Sequence, residues 1–293
     1  MFEILRQGFV QYAFLAGTMV AVITAIMGYF VVLRAQAFAG EALADIGFAG
    51  ATGAAVLGIG ALPGMLILTI LAALGLGALG ERMRGRDVEV GMVLSFALGL
   101  GVLFLVIYAQ FGSNAAEGVG VLFGSILSVT RSDLLITLIA GCSILLLLAF
   151  LFRPLLFATI DQEVAQARGV PVRLLSSVFL VLLGITTAET VLVVGVLLAL
   201  SLLIAPAAAA LRLTYRPLTS ISLAVVLGVC ITWGGLLLAF VGAGTHLPVG
   251  FFIATLAALA YFLSIPLSRL RFSQRYRPLP HPTRECSPLP DHR

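Results

Sequence analysis

Apolar runs of about 20 residues recur along this chain, separated by short segments that carry its arginines. A run of that length, wound as an α-helix, crosses about 30 Å of hydrocarbon and satisfies its backbone N–H and C=O groups internally. Such a chain is constrained to fold as a bundle of membrane-spanning helices. Composition agrees, with hydrophobic residues at 61% of the 293, charged residues at 10% and mean hydropathy at +1.15. Soluble domains have a very different balance. The first apolar run flows into further spans without a small-residue cleavage site, so no secretory signal is expected.

The pattern predicts an all-α, polytopic transmembrane bundle of about nine spans, with eight possible. They fall at about 11–33, 38–60, 62–80, 88–110, 133–152, 174–188, 190–211, 218–240 and 249–268. Span six is short and reads as one arm of a hairpin turning near Glu189, with that acid at the water interface. Gly118–Leu127 is apolar but too short to cross, and reads as a re-entrant or interfacial helix. The organisation is one transmembrane domain over 1–270, with a long loop at about 153–173. A proline-rich, polar segment at 271–293 reads as a disordered cytoplasmic tail.

All 17 basic residues are arginine. A P-loop needs a lysine on the nucleotide phosphates, so an ATP-binding cassette within this chain is excluded. All the arginines except Arg6 and Arg131 fall on one side of the span pattern. The positive-inside rule puts that side, and the C-terminus, in the cytoplasm. Arginines spread between spans do not make a nucleic-acid patch. Cys142 and Cys230 lie in apolar spans and read as small buried hydrophobes, and Cys286 lies in the tail. No C-x-x-C pair points to a disulfide or a thiolate metal site.

The chemistry-bearing residues are few. Glu41 and Asp45 stand four apart in Phe38-Ala-Gly-Glu-Ala-Leu-Ala-Asp-Ile-Gly-Phe48, and so share a face if the stretch is helical. Acids at membrane depth are costly and persist facing protein, water or a cation. Two together repel unless a proton or metal ion lies between them. The pair is therefore a candidate metal site; a protonated or arginine-paired couple stabilising the bundle is the alternative. In the loop, Asp161 reads as an N-cap, Glu163 as a first-turn acid, and Gly169 with Pro171 as a stop. They predict a short surface helix, either a plain connector or a docking helix for a cytoplasmic partner. His246 in an outer loop reads as solvated, and His281 and His292 lack metal-ligand spacing. Trp233 reads as packing.

Several segments, in order, resemble the permease subunits of zinc/manganese/iron-type ABC importers. They are Val32-Leu-Arg34 with Gly40-Glu-Ala-Leu-Ala-Asp45, the loop Ile160–Arg173, Val194-Gly-Val-Leu-Leu198 through Pro206–Arg212, and Leu247-Pro-Val-Gly250. The family's usual second-span motif is G-D-A-L-S-H, so Glu41 takes the Asp position and Asp45 the His position. Two oxygen donors make a harder site, suited to Mn²⁺, Fe²⁺ or Mg²⁺ more than to zinc. The loop resembles the family's coupling segment, which implies that Asp161, Glu163, Arg168 and Gly169 meet the ATPase.

The resemblance implies a non-enzymatic transport subunit, homodimeric and multi-pass in a prokaryotic inner membrane. It further implies a separate cytoplasmic ATP-binding cassette subunit and an extracytoplasmic metal-binding protein. No cofactor is permanently bound: the divalent cation is the transported substrate and ATP sits on the partner. The competing class is an ATP-independent secondary cation transporter or channel using Glu41 and Asp45 as a proton or cation relay.

Overall fold

A computed structural model describes residues 8–79, 87–111, 126, 129–241 and 249–275. Among these residues the chain is helical, with no strand. The helices are α1 (Gly8–Leu33), α2 (Ala37–Val56), α3 (Ala61–Leu79), α4 (Asp87–Phe111), α5 (Arg131–Ile160), α6 (Gln162–Ala167), α7 (Val172–Val194), α8 (Val196–Leu213), α9 (Pro217–Val241) and α10 (Val249–Arg275).

The span count differs from the expectation of about nine. Among the described residues, seven helices are long and apolar enough to cross a membrane: α1, α3, α4, α5, α7, α9 and α10. Helices α2 and α8 are the two expected spans outside this set. Helix α2 has 20 residues but is built of alanine and glycine with two acids, so its hydropathy is low. Helix α8, Val196–Leu213, is apolar and, at 18 residues, among the shortest of the bundle's long helices.

Two boundaries also move. Helix α5 continues through Pro154 to Ile160, well past the expected end at 152. Helix α7 runs unbroken through Glu189, and the turn comes at Gly195, where φ is +98°. That left-handed conformation is open to glycine and strained for other residues. The re-entrant segment apart from Ile126, together with His246, His281, His292, Cys286 and most of the tail, lies outside the described residues.

Helices α1 and α7 form the centre, with 67% of each span window buried, whereas α4 has 11%. One core cluster joins α1, α5, α7 and α8 through Phe30, Leu148, Leu155, Phe179, Leu183 and Leu203. A second joins α1, α8, α9 and α10 through Val20, Leu202, Leu236 and Ile253. Close approach is achieved with glycine: a Cβ on Gly28 of α1 would collide with the Leu203 carbonyl of α8. Large apolar side chains such as Phe96, Leu146, Phe150 and Phe262 are left exposed on the outer helices. Cys142 and Cys230 are exposed too, contrary to the buried reading. Lipid is as apolar as a core, so apolar residues face it at no penalty.

Most buried threonine hydroxyls are satisfied within their own helices, Thr137 being an exception. Thr24, Thr52, Thr69, Thr186 and Thr232 each donate to the carbonyl four residues back, at 2.6 to 3.0 Å. Trp233, set down as packing, is 47% exposed and donates its Nε1–H to Thr18 Oγ1 at 2.8 Å.

Candidate functional site

Helix α2 holds the acid pair. It starts where Gly40 N–H donates to the Gln36 carbonyl (3.2 Å), without a side-chain cap. Its alanine-rich sequence favours helix, and its glycines let neighbours approach. It packs against α3, α4, α7 and α8. Ala44, Phe48 and Ala51 of α2 share a cluster with Met65 of α3, Leu105 of α4, Ala188 and Val191 of α7, and Val196 and Ala199 of α8. Two approaches are especially tight. A Cβ on Gly50 would meet the Gly64 carbonyl at 2.6 Å, and one on Gly101 of α4 would meet the Phe48 ring at 2.5 Å.

Within that enclosure Glu41 and Asp45 lie one helical turn apart on one face. Asp45 is only 8% exposed and Glu41 is half-buried. Among the described residues no three His, Cys, Asp or Glu side chains come together as a metal cluster. The pair therefore offers up to four carboxylate oxygens and no imidazole, a donor set for a hard cation that keeps part of its water.

Glu189 is a second buried acid, and lies inside a helix rather than at the expected water-facing turn. It lies in α7, 8% exposed, and neither carboxylate oxygen has a hydrogen-bond partner among the described residues. The surrounding threonines do not serve it: Thr186, Thr187 and Thr190 donate their hydroxyl protons to the carbonyls of Leu182, Gly184 and Thr186 (2.8, 2.9 and 2.7 Å). The signal available in the sequence was the unbroken apolar pattern on both sides of Thr186-Thr-Ala-Glu-Thr190, which places the acid inside a helix.

At the opposite end from the α7–α8 turn lies the six-residue helix α6. The Val164 N–H donates to Asp161 Oδ1 at 3.0 Å, so Asp161 is its N-cap. Glu163 is exposed in the first turn, Arg168 is the exposed C-cap, and Gly169 holds φ +82°. Ala165 is fully buried and pins the helix to the core cluster of α5 and α7. A cleft of about 490 Å³ opens beside it, lined by Gln166, Gly169, Pro171 and Arg173 among others. Glu41 and Asp45 on the one hand, and Asp161, Glu163, Arg168 and Gly169 on the other, thus form two separate groups.

Between the two groups stands Arg34, in the turn joining α1 to α2. Its Nε–H donates to Thr159 Oγ1 at 2.9 Å, its NH1 reaches Ser176 Oγ at 3.5 Å, and its guanidinium carbon lies 4.9 Å above the Phe179 ring. Burial lowers the guanidinium to about 10, so it keeps its charge at neutral pH.

Known proteins resemble this chain over nearly its whole length. The manganese transport system membrane protein MntC of Halalkalibacterium halodurans is 30% identical over 269 residues, covering 89% of each chain. The high-affinity zinc uptake system membrane protein ZnuB of Haemophilus influenzae is 28% identical over 240 residues, covering 82% of this chain and 89% of its own. Among solved structures, PsaBC from Streptococcus pneumoniae in complex with Fab matches with a TM-score of 0.80 at 26% identity, covering 92% of this chain and 96% of that one. Residues 6–268 match the ABC 3 transport family, and the chain belongs to that family.

Proposed function

We propose that this chain is the transmembrane permease subunit of an ATP-driven importer for a divalent metal cation. Manganese is the favoured ion, with iron and zinc in the same class. The observation that carries the reading is the Glu41/Asp45 pair, on one face of a helix that packs against four others, in a member of the ABC 3 transport family. Two carboxylates favour a hard cation over an imidazole-preferring one. Relatives named for manganese transport support the same choice.

The chain performs no covalent chemistry. A separate cytoplasmic ATPase binds α6 and hydrolyses ATP there, and an extracytoplasmic metal-binding protein delivers the ion at the other face. Two copies of this chain form the pathway in a prokaryotic plasma membrane. The arginine-bearing end, with Arg34, Arg153, Arg168, Arg173, Arg212 and Arg216, faces the cytoplasm by the positive-inside rule. ATPase closure shifts the helices, and the region of Glu41 and Asp45 exchanges outward for inward access. The acids replace part of the water shell of the ion as it passes.

The test is reconstitution. The chain is purified with a cassette ATPase from its own genome and placed in lipid vesicles with the metal-binding protein outside. Manganese accumulation that requires ATP on the ATPase side supports the reading. Accumulation without ATP, driven by a cation gradient, replaces it with the secondary-transporter reading.

A further inference from the structure

Arg34 joins the turn that leads into α2 to the two helices, α5 and α7, that flank α6. Its backbone forms the corner from which α2 departs: Arg34 N–H donates to Phe30 O (2.9 Å), Ala35 N–H to Val32 O (3.2 Å) and Gln36 N–H to Val31 O (2.9 Å). Ala35 holds φ +52°, a left-handed conformation that is strained for a non-glycine residue. The corner is thus a fixed bend. Its side chain reaches the other way, into both arms of the loop that bears α6. Thr159 lies two residues before the Asp161 cap, and Ser176 lies five residues after Pro171, which precedes α7.

The chemistry of these contacts also matters. A guanidinium held by two hydroxyls and an aromatic face is held directionally but without the depth of an ion pair. Burial is what perturbs it, with no carboxylate contributing. Such contacts can be exchanged for others at low cost when the arms shift, whereas a buried ion pair would lock them. Glu41 and Asp45 follow about 6 Å and 12 Å along α2 from its first residue at 1.5 Å per residue. A tilt imposed at the corner therefore displaces both acids.

We propose that Arg34 is a positioning residue that transmits displacement of α6 to α2, and so converts ATPase closure into a change of access at Glu41 and Asp45. The proposal rests on the reading that an ATPase docks at α6. Lysine is a poor substitute, because an ammonium supplies neither the planar fork nor the stacked face.

The experiment measures ATP hydrolysis and manganese uptake in the same vesicles containing the full complex. The variants are Arg34→Gln, Arg34→Lys, Thr159→Val and Glu163→Arg. Arg34→Gln should retain the ATPase and hydrolyse ATP within about twofold of wild type, while manganese moved per ATP falls at least about tenfold, a loss typical of misplacement by an ångström or so. Arg34→Lys should recover part of that ratio, and Thr159→Val should lower it in the same direction. An unchanged ratio in Arg34→Gln overturns the proposal. Loss of the ATPase together with uptake also overturns it, because Arg34 would then only shape the docking surface. Should Arg34→Gln fail to reach the membrane, Thr159→Val decides, and its unchanged ratio is again a refutation. Glu163→Arg separates the two ideas: if it retains the ATPase and full transport, the docking reading fails, while Arg34 is still judged on its own ratio.

Discussion

Replacing Glu189 with methionine should stabilise the protein. The side chain is 8% exposed, and both carboxylate oxygens lack a partner. A buried polar group that has given up its water for nothing costs about 1–3 kcal/mol. Methionine has nearly the same length and flexibility and carries no group that needs a partner. The expected gain is therefore about 2 kcal/mol. At roughly 2–4 °C per kcal/mol for a chain of this order of size, the melting temperature in detergent should rise by about 4–8 °C. Glu189→Gln is the control, since an amide in the same place still lacks partners and should gain little. The assay is thermal unfolding of the purified chain, followed by tryptophan emission or by a thiol-reactive dye. A methionine variant that melts at or below the wild-type temperature would refute the reasoning, because the carboxylate would then have a favourable partner that the apolar side chain removes.

Further outcomes follow from the same geometry. Gly28→Ala places a Cβ against the Leu203 carbonyl, so α1 and α8 must part. Overpacking of this kind costs about 1–3 kcal/mol, and a melting temperature equal to wild type would contradict it. Gly169→Pro cannot adopt φ +82°. It should leave membrane abundance intact by blotting yet lose co-purification of the ATPase, and normal co-purification counts against docking there. Asp45→His should shift uptake preference from manganese toward zinc, since imidazole is a softer donor; competition between the two ions in uptake assays reads this directly.

Much of the fold was legible because membrane constraints are simple. Length and apolarity alone place α1, α3, α4 and α9 to within a few residues. The Asp161 cap, the glycine after α6 and the acids on one helical face follow from local rules that need no tertiary context. Other features were not legible. Helix α2 counts as a span by position but not by composition, because alanine and glycine pack against protein rather than dissolve in lipid. The turn at Gly195 depends on a positive φ that is invisible in Val194-Gly-Val196, and reading it six residues early brought Glu189 to the surface. Burial of Cys142 and Cys230 could not be told from exposure, because lipid and protein interior ask for the same residues. Arg34 belonged to a recognised segment, yet its contacts at Thr159, Ser176 and Phe179 join residues more than a hundred positions apart.

The most direct test of the central claim is metal uptake by Glu41→Gln and Asp45→Asn in cells lacking other importers, with membrane abundance checked by blotting. Both substitutions keep side-chain size and hydrogen-bonding capacity while removing the charge that binds a divalent cation. If the pair holds the ion in passage, each variant reaches the membrane at normal abundance and loses manganese uptake by at least about tenfold, since even outer-shell partners of metal ligands are worth about that much. Full-rate uptake in both would contradict the account and leave Glu41 and Asp45 a structural pair.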